Sequence, residues 1–309
     1  MSALAYAEDF NIIVDKAKAL GRPIRVAVPA ADCENILRGT FAAQEDGFVE
    51  PILVGNEEKI RTVLESIGAE DKKYSLHVCH GGDNPMQYAI EMIQAGSADV
   101  LMRGNMQTRD YLMPILNKAN HLTRDDTLMT HVTFLKIPGY EKLLGFSDVT
   151  LLINPSQDQK VIVLKNMVES MQLLGLEKPN IALLALVEKP SFHMRDTVED
   201  QTLVKQHLAR PFANCNLAGP ISYDLIIDKE AARLKGYDCP YCGEFDGIVV
   251  PNLTAGNLLV KVLEHNAGAA GFGVIVGATV PIAIASRSDA PIDTYLSLAA
   301  CAASMLEKK

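Results

Sequence analysis

Tryptophan is absent from this sequence, and aromatic residues make up only 6% of it. Basic residues are the minority charge: 29 Lys and Arg against 38 Asp and Glu leave a formal net charge of −9. Nucleic-acid binding needs basic patches and stacking aromatics, and anionic lipid needs basic clusters. An acidic chain poor in aromatics is therefore expected to bind neither nucleic acid nor membrane. Long apolar runs are also missing. The longest, Gly273–Ala285 and Leu296–Leu306, are too short to span a bilayer, and Pro281 interrupts the first. The stretch Met1–Leu20 carries Glu8 and Asp9 and lacks a cationic segment followed by an apolar core, so no signal peptide is expected. The cysteines, at 33, 79, 215, 239, 242 and 301, are mostly isolated in apolar or mixed surroundings. That argues against a disulfide framework and for a reducing, cytoplasmic setting.

What is present is an ordinary globular composition, 48% hydrophobic and 22% charged over 309 residues, enough for about two domains. Short β-branched apolar runs alternate with amphipathic stretches. Helical patterns are expected at Phe10–Leu20 (closed by Gly21), Cys33–Glu45, Glu57–Ile67 and Pro85–Ala95, and strands at Arg25–Pro29, Pro51–Val54 and Ala98–Met102. This βαβα order marks an α/β protein with a mostly parallel sheet. The middle differs: His131–Ile137 and Asp148–Ile153 read as an antiparallel pair of strands. Alternation then resumes with helices at Gln159–Leu174, Val198–Ala209, Lys229–Leu234 and Ala255–His265. Strands are expected at Ile181–Val187, Gly247–Val250, Gly273–Val276 and Pro281–Ala285, and a last helix at Pro291–Leu306.

Three strand-to-helix junctions could carry chemistry. The last reads PIAIASRSDAPID, with Ser286, Arg287, Ser288, Asp289 and Asp293 between an apolar strand and a helix opened by Pro291. Free N–H groups at a helix start favour anions, and a guanidinium fork suits phosphate. The plainer alternative is an N-cap at Ser288 or Asp289 and a surface arginine. At the second, Val249–Asn257, the polar groups Asn252, Thr254 and Asn257 lie around Gly256, with Lys261 one helical turn beyond; an ordinary capped βα loop explains these equally well. At the third, Arg103, Gly104 and Thr108 follow the Ala98–Met102 run and could cradle an anion.

Together with ADVLMRG (98–104), THVTFLKIPGY (130–140), DVTLLINPS (148–156), AGPISYD (218–224), FDGIVVPNLTAGNLLVK (245–261) and GFGVIVGATVPIAIASRSD (271–289), these segments resemble the phosphate acetyltransferase/phosphate butyryltransferase family from near Arg25 onward. In length the chain is most like the short butyryltransferases. The resemblance implies two α/β domains with mostly parallel sheets, isocitrate/isopropylmalate dehydrogenase-like, and an active cleft between them. The first domain would comprise 1–125 plus 273–309, and the inserted second domain 126–272. It implies transfer of a short acyl group, such as butyryl, between CoA and inorganic phosphate, by a homodimer with no tightly bound cofactor and no metal. Acetyl-CoA as substrate, or a non-catalytic CoA-binding member, are the alternatives. A decarboxylating dehydrogenase would need a carboxylate cluster for a divalent metal and a nicotinamide site, and neither can be assigned.

The resemblance assigns Arg287 to the phosphoryl group, Asp293 to deprotonating the CoA thiol and Ser286 to stabilising the transition state. Arg103, Gly104, Thr108, Asn252, Gly256, Asn257 and Lys261 are the expected substrate-binding residues. One departure stands out. Where acetyl-type members carry an arginine before a proline, this chain has Met113 before Pro114, and Arg103 or Arg109 is left to substitute. Other signals are discounted. Cys239 and Cys242 form a lone CxxC, expected in a surface loop with incidental thiols. His77, Cys79 and His80 have no partner cluster. Gly268–Gly273 leads into a strand rather than out of one, so the dinucleotide fingerprint fails.

Overall fold

The computed structural model describes residues 8–125 and 127–306. Two compact units emerge, Met1–Met129 with Gly271–Lys309, and Thr130–Ala270. Residue 126, the expected start of the inserted domain, and the first seven residues of the Met1–Leu20 stretch lie outside the described residues. The first unit runs α1 (Asn11–Ala19), β1 (Ile24–Pro29), α2 (Glu34–Glu45), β2 (Val49–Gly55), α3 (Glu57–Ile67), β3 (Ser75–Val78), α4 (Pro85–Gln94), β4 (Val100–Met102) and α5 (Thr108–Leu116). The second contains β5 (Thr130–Lys136), β6 (Leu143–Ser147), α6 (Gln157–Gln172), β7 (Asn180–Leu184), α7 (Arg195–Ala209), β8 (Asn216–Ile221), α8 (Tyr223–Ile227), α9 (Lys229–Lys235), β9 (Gly247–Val249) and α10 (Leu253–Ala267). The chain then returns through β10 (Ala270–Val276), β11 (Ile282–Ala283) and α11 (Pro291–Leu306).

Strands of the first unit lie in the order β3-β2-β1-β4-β11-β10. All neighbours are parallel except β10 with β11. β1 is buried along almost its whole length, as expected of a strand covered on both faces. The sheet grows from β1 outward to β2 and β3, then reverses to β4 on the other side. α2 and α3 pack on each other while α4 lies against β1, β2 and β4, as expected when right-handed crossovers reverse direction across a sheet. The loops after β1 and β4 therefore part at a switch point, the crevice where open α/β sheets take ligands. α11 packs against both α1 and α2. Gly39 of α2 makes room for the start of α11: a Cβ there would stand 2.3 Å from the Pro291 carbonyl oxygen and 2.6 Å from Thr294 Cβ.

In the second unit the order is β5-β6-β9-β7-β8, parallel apart from β5 with β6. Its core gathers Leu144, Phe146, Ile221, Phe245 and Ile248. The expected antiparallel pair exists, but its second strand is Leu143–Ser147, not 148–153. The buried Asp148 carboxylate explains the shift. It accepts the N–H groups of Thr150 (2.7 Å), Leu151 (2.6 Å), Leu152 (3.3 Å) and, across on β5, His131 (2.7 Å). The amides of Thr150, Leu151 and Leu152 are turned inward to one side chain and cannot feed a ladder. Between α6 and α7, Lys160 and Asp200 form a buried ion pair at 2.7 Å. Among the described residues, no helix is long and apolar enough to cross a membrane.

Candidate active site

Three loops of the first unit converge where β1, β4 and β11 end. After β4, the Arg103 N–H donates to the Ala283 carbonyl at 3.4 Å. Gly104 then presses so closely on the loop after β1 that a Cβ would stand 2.2 Å from the Pro29 oxygen and 2.3 Å from that of Ala30. The Asn105 N–H donates to Ala30 O at 2.7 Å. Tyr111 fastens α5 beneath this loop, its hydroxyl donating to Ala283 O at 3.2 Å from a fully buried ring.

Arg103 is buried, and its Nε and Nη2 both donate to Met106 O, at 3.2 and 2.8 Å. Burial first, and then the neighbouring Arg287 cation, hold its guanidinium below the ordinary value, while Tyr111, Asp289 and Cys33 act in the opposite direction. A guanidinium stays charged through such a shift. Two like cations are thus close enough to repel, an arrangement that a dianion placed beside them would relieve.

The Ser286–Ala290 turn is tied by reciprocal bonds. The Ser286 N–H donates to Asp289 Oδ2 at 2.5 Å, and the Asp289 N–H returns to Ser286 O at 3.1 Å. Asp289 therefore closes the turn that begins at Ser286. The Ser286 and Ser288 hydroxyls are 3.0 Å apart. Ser286 is half-buried and Arg287 exposed. In the first turn of α11, Asp293 accepts the Ala290 N–H at 2.9 Å through Oδ2 and the Gly271 N–H at 3.2 Å through Oδ1. A hydroxyl, two guanidinium groups and a helix start at one strand edge suit an oxyanion or a phosphate.

The structure sorts the remaining expected residues. Thr108 begins α5, and Met113 and Arg109 are exposed on that helix. Of the two arginines left to replace the family's missing one, Arg103 stands beside Arg287. In the second unit, Asn252 caps α10 by accepting the Ala255 N–H at 2.9 Å. Gly256 lets α10 approach the chain just after β9 and β6, where a Cβ would meet Val250 at 2.6 Å and Val149 at 3.1 Å. Asn257 Nδ2 donates to Val149 O at 3.2 Å, and Lys261 Nζ pairs with Glu264 at 3.2 Å. The Lys261 charge also reaches His131, whose imidazole lies between the hydroxyls of Thr150 (2.7 Å) and Thr133 (3.3 Å). Burial first, then Lys261, push the His131 pKa down to about 3.

The CxxC corrects one expectation. Cys239 is partly exposed, but Cys242 is buried in the second unit's core and its thiol is pushed up by burial, so the pair is not simply a surface feature. Among the described residues, no group of three or more His, Cys, Asp or Glu side chains is gathered as metal ligands would be. Asp32 and Asn105 belong to the crevice and were not expected there. The adjacency of β1 and β4 is what brings them to it.

The profile of the family described as phosphate acetyl/butaryl transferase matches residues 78–303. A phosphate acetyltransferase of Thermotoga maritima is 30% identical over 287 residues, covering 93% of this chain and 96% of the relative. A phosphate butyryltransferase of Clostridium acetobutylicum is 28% identical over 282 residues, covering 91% and 93%. The crystal structure of a branched-chain phosphotransacylase from Enterococcus faecalis V583 superposes with a TM-score of 0.75 at 26% identity, covering 90% of this chain and 97% of that one. With the family profile spanning most of its length, this chain belongs to the phosphate acetyl/butaryl transferase family, a family of phosphate acyltransferases.

Proposed function

We propose that this protein transfers a short acyl group, with butyryl preferred, between CoA and inorganic phosphate. The observation that carries the reading is the convergence of Ser286, Arg287 and Arg103 at the switch-point edge of the first unit. Arg287 and Arg103 bind the phosphoryl oxygens, and Gly104 and Thr108 shape the loop that presents them. In the direction of acyl-CoA formation, the CoA sulfur attacks the carbonyl carbon of the acyl phosphate. The C–S bond forms, and after the tetrahedral stage the C–O bond to phosphate breaks, phosphate leaving with the bonding pair. Ser286 donates to the carbonyl oxygen as charge develops on it; removing one such donor costs about 10²–10³ in kcat. Holding the phosphoryl group against the carbonyl lowers the barrier by orientation. No covalent enzyme intermediate is needed.

Asp293 takes the thiol proton. The backbone bonds from Gly271 and Ala290 fix the orientation of its carboxylate at the start of α11. The ordinary gap between a thiol and an aspartic acid, roughly 4.6 pKa units, has to be narrowed for this step. The cations of Arg287 and Arg103, placed beside the thiol by the bound phosphoryl group, favour the thiolate and supply that help. On the second unit, Asn252, Asn257 and Lys261 are substrate contacts, with Gly256 allowing the close approach of α10. The enzyme works as a cytoplasmic homodimer with CoA, acyl-CoA and phosphate as substrates and no resident cofactor.

Met113 in place of a family arginine supports butyryl over acetyl. A methylene in an apolar pocket is worth only about 1–3 kcal/mol, so the discrimination is modest. Comparing kcat/KM for acetyl-, propionyl-, butyryl- and isobutyryl-CoA tests it. A four-carbon substrate should lead, and a higher value for acetyl-CoA would contradict the preference.

A further inference from the structure

We infer that Asn105 is a positioning residue that aims Arg287 at the phosphoryl group, and that Asp32 holds Asn105 in turn. Asn105 Oδ1 accepts from Arg287 Nη1 at 3.5 Å, while its Nδ2 donates to Asp32 at 3.3 Å, to both the backbone oxygen and Oδ2. The amide is polarised the right way round. Its oxygen faces the cation and its NH2 faces the carboxylate, so the charges at either end select this orientation over the flipped one. The inference rests on the anion role proposed above for Arg287.

Although its side chain is exposed, Asn105 sits on a rigid frame. Its own N–H is bonded to Ala30 O at 2.7 Å, the Met106 N–H closes onto Gly104 O at 2.9 Å, and Arg103 is folded onto Met106 O. Gly104 permits no slack against Pro29 and Ala30. Arg287 has the opposite character. It is exposed in a turn, and Arg103 repels it. A long, mobile guanidinium loses much rotamer freedom when it fixes an anion. A neutral acceptor on a stiff loop restricts that freedom beforehand without neutralising the charge the phosphate needs. A carboxylate at position 105 would instead compete with phosphate for Arg287 and repel Asp32.

The test is equilibrium titration of inorganic phosphate into four proteins: unaltered, Asn105→Ala, Arg287→Gln and the double variant. Far-ultraviolet circular dichroism accompanies each to confirm folding. Asn105→Ala should weaken phosphate about three- to tenfold, the range for one exposed bond to a charged group. In the Arg287→Gln background the same change should add no further loss, because Asn105 would act only through Arg287. Asn105→Asp should weaken phosphate more than Asn105→Ala. Equal effects of Asn105→Ala in both backgrounds, or none in either while Arg287→Gln weakens binding, would overturn the inference and leave the role of Arg287 standing. Unchanged phosphate affinity in Arg287→Gln would overturn that role and this inference with it.

Discussion

Asp293 Oδ1 accepts the backbone N–H of Gly271 at 3.2 Å, tying the first turn of α11 to the start of β10, while Oδ2 holds the Ala290 N–H at the head of the same helix. The carboxylate is therefore a clamp by geometry as well as the proposed proton acceptor. Asp293→Asn should lower kcat by about 10²–10⁴, the range for a lost general base. If Asp293 takes the thiol proton, raising the pH from 7 to 9 should recover much of the deficit in acyl-CoA formation, because the thiol then ionises unaided. A deficit constant across that range would mark Asp293 as a clamp alone.

Gly104 has no room for a side chain against the loop after β1. Gly104→Ala must push apart the two loops that carry Asn105 and Asp32. A loss of about 1–3 kcal/mol in stability is expected, the usual cost of overpacking, together with a raised KM for phosphate. Denaturant midpoints and phosphate kinetics on the same preparation check both, and unchanged values for both would contradict the close fit.

The regular elements were legible where the sequence punctuates itself. Helix α3 matches its expected span because Asn56 caps its start and Gly68 closes it in the left-handed conformation; α11 does so because Pro291 opens it. Some elements escaped notice. Edge strand β3 is half exposed and has no apolar run, α5 contains Pro114, α8 is only five residues long, and β8 contains Gly219 and Pro220, which read as breakers although an edge strand tolerates proline. The apolar stretch Val149–Ile153 imitates a strand, and only the buried Asp148 turns it into a loop. The site followed the same division. The junction from β11 to α11 is a local pattern, so Ser286, Arg287 and Asp293 could be read from it. Asp32 and Asn105 lie 73 positions apart and meet only because β1 pairs with β4, a long-range fact that no periodicity records.

Lys160 and Asp200 are almost wholly inaccessible, and burial raises the Asp200 pKa to about 6 even against the attraction of Lys160. Lys160→Met should strand a buried carboxyl and lower the stability of the second unit by about 3–5 kcal/mol. Lys160→Met with Asp200→Leu should recover a large part of that loss. Thermal or chemical denaturation of the three proteins decides, and equal stability of the single and double variants would contradict the pairing.

Asp99 closes the lower end of β1 and β4. Burial would raise its pKa, but Arg25, bonded through its side chain (2.9 and 3.0 Å) and its N–H (2.9 Å), and Arg22 (3.2 Å) outweigh that and hold it at about 2. A pKa below the unfolded value means stability that is fully present above about pH 4 and lost as pH falls toward 2. Asp99→Asn should therefore be less stable than the parent by about 1–2 kcal/mol at neutral pH, after solvent screening. The gap should shrink through the window from pH 4 to 2. A gap that stays constant down to pH 2 would contradict the linkage.

The central claim, acyl transfer between CoA and phosphate at the Arg287 edge, is tested most directly by following CoA release from butyryl-CoA with and without inorganic phosphate, in the presence of EDTA, for the unaltered protein and Arg287→Gln. Release is expected only when phosphate is present and unaffected by EDTA, with Arg287→Gln acting mainly through a raised KM for phosphate. Release that is independent of phosphate, or that disappears in EDTA and returns with a divalent ion, would contradict it.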